Sequence, residues 1–193
     1  LTKSKDVSYA GCGLPYYISG MIPTRDQLIV NTPEKFSGLT GAEVVTGVEA
    51  VGLDAAQKTL SVRGEDGAVY QEGYDKLVIA TGASPVVPKL DGCDLPGVFT
   101  MRTPDDAQGV KDYIKEHSCR TALVVGCGFI GLEVGENLQK LGLNVTMIDF
   151  ADQILPGIFD SEMAEYAKRQ LTASGSKILL GTALSKVEKT AEG

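Results

Sequence analysis

The chain has 193 residues, 43% of them hydrophobic, with a formal net charge of −7, four cysteines and one histidine. That apolar content supplies a core for one large or two small domains, and an acidic balance without a basic, aromatic-interleaved patch excludes nucleic acid as a partner. No run reaches the roughly 18 apolar residues of a membrane span, and Cys12, Cys93, Cys119 and Cys127 form no CxxC pair, which argues against a disulfide scaffold or a metal site and for a reducing cytoplasm.

In chain order, VSYAGCGLPYYISG (residues 7–20) reads as a loop running into a short helix. Thr32-Pro33 begins a second helix, with threonine as cap and proline at the first helical position. Four β-rich runs follow, Glu43–Val51, Thr59–Arg63, Ala68–Gln71 and Lys76–Ala80. The turn sequences LDAAQK and GEDG between them predict an antiparallel meander leading into a buried strand. Ser84–Leu95 is a proline- and glycine-rich connector. Thr103-Pro104-Asp105-Asp106 starts another helix, with acids where they complement its dipole. His117 closes that helix as a surface residue. The sequence has no internal repeat.

The next stretch, TALVVGCGFIGLEVGENLQKLGLNVTMID (Thr121–Asp149), holds a whole dinucleotide-binding unit in order. Ala122–Val125 reads as a buried strand feeding a GxGxxG loop made of Gly126, Gly128 and Gly131, with Phe129 and Ile130 inside it. The first glycine permits the tight turn, the second lets backbone approach a pyrophosphate, and the third lets helix pack on strand. The helix start offers N–H groups and a positive dipole end to phosphate. Ile130, Val134, Leu138 and Leu141 recur at helical spacing, Gly142 is placed to cap the helix, and Val145–Ile148 is the following strand. Asp149 stands where an acid receives the ribose 2′-OH; its charge repels a 2′-phosphate, so NAD(H) is expected over NADP(H). Asp160–Ala173 is an amphipathic helix, and Lys177–Leu180 and Ala183–Lys189 are further strands. The start at Leu1 and the stop just past a strand read as a piece of a longer polypeptide.

Three segments together resemble one family. SYAGCGLPYYISG looks like the active-site segment of single-cysteine flavin disulfide oxidoreductases (coenzyme A-disulfide reductase, NADH oxidase, NADH peroxidase), YDKLVIATGASPVVP like their ATG segment, and LVVGCGFIGLEVGE like their inserted NAD domain. The resemblance runs from about Val7 to Lys189. It implies an α/β, three-layer Rossmann-like fold with parts of two nucleotide-binding domains. Residues 1–110 would be a partial FAD-binding domain lacking its first βαβ unit, and residues 118–193 a partial NAD-binding domain. The implied parent is a cytoplasmic homodimer that carries FAD, oxidises NADH and reduces a small-molecule disulfide, persulfide, peroxide or O₂.

By that resemblance Cys12 lies beside the flavin and cycles between thiolate and a mixed disulfide or sulfenic acid. Its expected place at a helix start lowers a thiol pKa, and Gly11 and Gly13 let substrate come close. Taken as a residue type alone, Cys12 is equally a buried, inert thiol. The resemblance further implies Ser8 near substrate, Val48, Thr81, Gly82 and Arg102 against FAD, Phe129 over the flavin, and Glu133 near the nicotinamide amide. Two places depart from coenzyme A-reducing relatives: Gly11 replaces an asparagine, and Thr40 a phosphate-binding lysine. A nucleotide-sensing regulatory module, or a ferredoxin or rubredoxin reductase, are the alternatives; neither needs Cys12.

Overall fold

The computed structural model describes residues 1–190. Its elements are β1 (Ser8–Tyr9), α1 (Leu14–Ile18), β2 (Ile29–Asn31), α2 (Pro33–Thr40), β3 (Glu49–Asp54), β4 (Thr59–Arg63) and β5 (Val69–Gly73). They continue with α3 (Pro104–Glu116), β6 (Thr121–Val125), α4 (Phe129–Lys140), β7 (Asn144–Ile148), α5 (Ser161–Ala173) and β8 (Lys177–Leu179). These elements fall into two compact units that interleave in sequence, residues 1–10 with 29–83, and residues 11–28 with 84–190.

The first unit contains the expected meander: β3, β4 and β5 form an antiparallel sheet in that order. Its turns follow from side-chain chemistry. Asp54 Oδ1 accepts from the N–H groups of Ala56 and Gln57 at 3.0 and 2.9 Å, an Asx turn that closes β3 onto β4. Gly67, at φ +81°, makes the second turn, where glycine alone carries no steric penalty. Val62 is fully buried on the sheet. Strand β1 pairs antiparallel with β2, and Thr32 caps α2 by accepting from Lys35 N–H.

Two strand expectations in this unit are corrected. The run at 43–51 enters the ladder only at Glu49, because Gly47 adopts φ +69° and interrupts the extended backbone. Lys76–Ala80 joins no ladder among the described residues, and Val78 and Ile79 stand 84% and 71% exposed rather than buried. An apolar run becomes a buried strand only where neighbouring strands accept its hydrogen bonds, and none does so here.

The second unit is built on β6, β7 and β8, a parallel sheet in that order with α4 and α5 as crossovers. This is the βαβαβ half of a dinucleotide fold. Buried Val124, Val145 and Met147 from the sheet join Leu132 and Leu138 from α4, Ile154, Leu155 and Ala164 in one core. Leu14, Tyr17, Ile18 and Leu28 enter that same core from the segment at 11–28. Helix α3 opens with a complete capping box between Thr103 and Asp106, and His117 ends it, exposed and stacked on Tyr113 at 4.1 Å between centroids.

The apolar stripe of α4 differs from the one expected. Leu132, Gly135 and Leu138 face the core, whereas Ile130 and Leu141 are exposed. A side chain at Gly135 would come within 2.7 Å of Met147 Sδ, so the helix rides close on β7 and the buried face turns toward that contact. Gly142, at φ +89°, does end the helix, its N–H donating to Gln139 O. Residues 183–189 form no strand; the segment is held by single bonds such as Val187 N–H to Asp91 O at 2.8 Å.

Candidate functional site

The glycine loop sits between β6 and α4, at the C-terminal edge of the parallel sheet, where open α/β sheets bind nucleotides. Each glycine has a distinct local cause. Gly126 adopts φ +104° and makes the turn. A Cβ at Gly131 would run into the carbonyl oxygen of Gly126, so helix and strand approach only without one. At Gly128 a Cβ would meet nothing within 4 Å; the space beside its backbone is open. Gly128 is also the N-cap of α4 and supplies no capping side chain, which leaves the first-turn N–H groups without an intrahelical partner.

The loop is fixed from below. Gly126 N–H donates to Ile148 O at 2.8 Å, and Leu155 N–H donates to Cys127 O at 3.0 Å. Cys127 N–H donates to Asp149 Oδ2 at 2.6 Å, while Asp149 Oδ1 accepts from Ala151 N–H at 2.9 Å. Asp149 is buried and follows directly on β7. Each carboxylate oxygen has two acceptor positions, so capacity for a ribose diol remains. Cys127 is buried, and burial first, the Asp149 carboxylate second, push its thiol up to about 11. It is an uncharged, inert thiol at neutral pH.

Phe129 and Ile130 lie at the start of α4, 55% and 61% exposed, and Glu133 is half-buried one turn further on. Cys12 belongs to the same unit; it is exposed in the 3₁₀ turn Gly11–Gly13 that leads into the five-residue helix α1. Arg102 is exposed two residues ahead of α3, its N–H donating to Asp106 Oδ2 at 2.9 Å. The other expected residues belong to the first unit. Ser8 is in β1 opposite Asn31, and Val48 is buried with its N–H on Thr2 O. Thr81 and Gly82 are exposed, with Gly82 at φ +71°. Motif reading passed over Ser19 and Asn137, which are hydrogen-bonded to each other between α1 and α4. Among the described residues no cluster of histidine, cysteine and carboxylate could hold a metal ion, and no helix is long and apolar enough to cross a membrane.

Sheet order, glycine loop and terminal acid define the class, a dinucleotide-binding α/β protein with a Rossmann-like fold. The chain belongs to the pyridine nucleotide-disulphide oxidoreductase family, whose sequence model matches residues 1–192, and within it to the branch of coenzyme A disulfide reductases and NADH oxidases. It is 36% identical to an NADH oxidase of Methanocaldococcus jannaschii over 97% of this chain and 42% of the relative. Reduced Bacillus anthracis CoADR-RHD superposes with a TM-score of 0.93 at 34% identity, covering 97% of this chain and 34% of that one. A NAD-dependent persulfide reductase from A. fulgidus gives 0.93 at 33% identity, over 99% and 36%. The chain thus spans less than half the length of these relatives. Members of the family bind FAD and NAD(H).

Proposed function

We propose that the protein carrying this chain oxidises NADH and delivers the electrons, by way of FAD, to Cys12 and then to a small-molecule disulfide, persulfide, peroxide or O₂. The observation that carries this reading is an exposed cysteine in the same packed unit as an open dinucleotide cradle. Gly126, Gly128, Ile130 and Gly131 present backbone to a pyrophosphate, and Asp149 receives the adenosine ribose. Phe129, being exposed, is free to cover a ring or move aside, and Glu133 is one helical turn from the loop, near the nicotinamide end.

The residues also fit part of an FAD site. Gly82 brings exposed backbone at positive φ, and Val48, Thr81 and Arg102 supply further contacts, with residues 1–110 contributing to an FAD-binding domain and 118–193 to an NAD-binding domain. When bound, FAD supplies the exchange between hydride from a nicotinamide and electron pairs at sulfur. Cys12 holds the substrate-side electrons, with Ser8 near the substrate, and the turn glycines Gly11 and Gly13 leave the thiol open to attack. Gly11 and Thr40 withhold the asparagine and lysine of coenzyme A-reducing relatives, which favours a smaller acceptor over coenzyme A disulfide. Four free thiols suit a reducing cytoplasm, and a homodimeric parent suits the family resemblance.

The test is Cys12→Ser in the flavin-loaded protein. Loss of NADH-driven disulfide or peroxide turnover with flavin retained is expected. Full turnover in the variant contradicts the reading and favours a ferredoxin-reductase type of electron transfer.

A further inference from the structure

Asn137 is fully buried, on the side of α4 that turns away from Gly135 and the sheet and toward α1. A primary amide there costs free energy unless each end is bonded. Both ends are: Asn137 Nδ2 donates to Glu133 O at 2.8 Å, and its Oδ1 accepts from Ser19 Oγ–H at 2.7 Å. Ser19 is the C-cap of α1, seven positions after Cys12. The bond therefore joins the helix that follows the cysteine to the helix that starts at the glycine loop. It also reaches the backbone of Glu133.

Other ties fasten the same segment to α3. Tyr17 Oη–H donates to Gln108 Oε1, and Arg25 pairs with Asp105 at 2.8 Å. The apolar anchors Leu14, Tyr17, Ile18 and Leu28 hold the segment in the core, but burial is non-directional and does not fix register. A directional bond from half-buried Ser19 to fully buried Asn137 does, and it adds little net stability over a well-packed apolar pair. A leucine at Asn137 would have filled the buried position without needing Ser19.

We infer that the Ser19–Asn137 pair is a latch that sets the Cys12 segment in register with the nucleotide helix, and that Asn137 is a positioning residue for hydride delivery. The inference rests on the proposed passage of electrons from NADH to Cys12. Breaking the latch leaves the glycine loop and Asp149 intact, so nucleotide affinity is kept while the alignment of the nicotinamide, held from α4, with the flavin that the Cys12 segment would adjoin is lost; alignment is a steep contributor to rate.

The test uses the flavin-loaded protein that carries this chain and the rate of flavin bleaching against NADH concentration, which separates affinity from the limiting rate. Ser19→Ala, and the paired Ser19→Ala with Asn137→Leu, are expected to lower the limiting rate at least about tenfold. The apparent NADH Kd should stay within about threefold of wild type; Tm should fall in Ser19→Ala, which leaves Asn137 Oδ1 buried without its donor, and stay near wild type in the paired variant. Ser19→Thr, which keeps the hydroxyl, should restore the rate. An unchanged limiting rate in the paired variant overturns the latch, and so does a loss that appears only in NADH affinity or Tm. Wild type, run alongside, separates the two ideas: if NADH does not reduce its flavin, the NADH reading itself has failed.

Discussion

Asp149 Oδ2 accepts the N–H of Cys127 at 2.6 Å, so the acid expected to read the ribose also anchors the middle of the glycine loop. With Ala151 N–H on its other oxygen, the carboxylate joins the loop after β6 to the loop after β7. Loop geometry and the proposed ribose contact thus fall on one side chain.

The first prediction concerns that double role. Wild type should prefer NADH to NADPH in kcat/KM, because a buried carboxylate repels a 2′-phosphate. Asp149→Ala should narrow the gap by losing NADH activity rather than by gaining NADPH activity. Removal of a charged acceptor from two backbone donors should also lower stability by about 2–4 kcal/mol, read from denaturant midpoints. A wild-type preference for NADPH contradicts the assignment.

The glycine loop gives a second, paired prediction. Gly131→Ala forces a Cβ into the Gly126 carbonyl and should cost about 1–3 kcal/mol, as overpacking does. Gly128→Ala, at φ −79° with open space around its Cβ, should fold normally yet bind NADH at least about tenfold more weakly, the added methyl occupying room meant for pyrophosphate. Calorimetric titration with NADH and thermal melts on the two variants check both halves. Tight binding by Gly128→Ala would place the nucleotide elsewhere.

Third, the thiols should be distinguishable by labelling and by pH. Cys12 is exposed and Cys127 buried, so iodoacetamide on the native protein at neutral pH should modify Cys12 and spare Cys127 until unfolding. The Cys127 thiol rises from 9.0 to about 11 on folding. Between those values the unfolded chain has lost a proton that the native state retains, so stability from this group is constant below about pH 9 and falls as pH rises toward 11. Cys127→Ser should flatten that alkaline slope; a slope of unchanged steepness contradicts the assigned cause.

Much of the second unit was legible in the sequence because its signals are local. The helix start at Thr103–Asp106 and the turn glycine Gly126 act within a few residues. The elements misjudged depend on long-range partners. Lys76–Ala80 has the apolar content of a buried strand but finds no ladder, and the stripe on α4 is rotated because Gly135 meets Met147. Cys12 was found by its flanking residues, whereas the Ser19–Asn137 bond spans 118 positions and has no motif.

A fourth prediction follows from counting pyrophosphate cradles. The described residues contain one glycine loop of the GxGxxG kind, at 126–131, and the proposed FAD contacts at Val48, Thr81, Gly82 and Arg102 include no second one. The 193-residue chain purified alone should therefore carry no flavin while retaining weak NADH binding. A flavin band near about 450 nm at stoichiometric intensity would show that these contacts hold FAD unaided.

The most direct test of the central claim is an anaerobic NADH titration of the flavin-loaded protein, first oxidised with a small disulfide or hydrogen peroxide and freed of excess. Oxidised Cys12 takes up two electrons and the flavin two more. Wild type should therefore consume one more equivalent of NADH per flavin than Cys12→Ser before the flavin is fully bleached. Equal consumption by the two proteins would contradict the claim that Cys12 accepts the electrons.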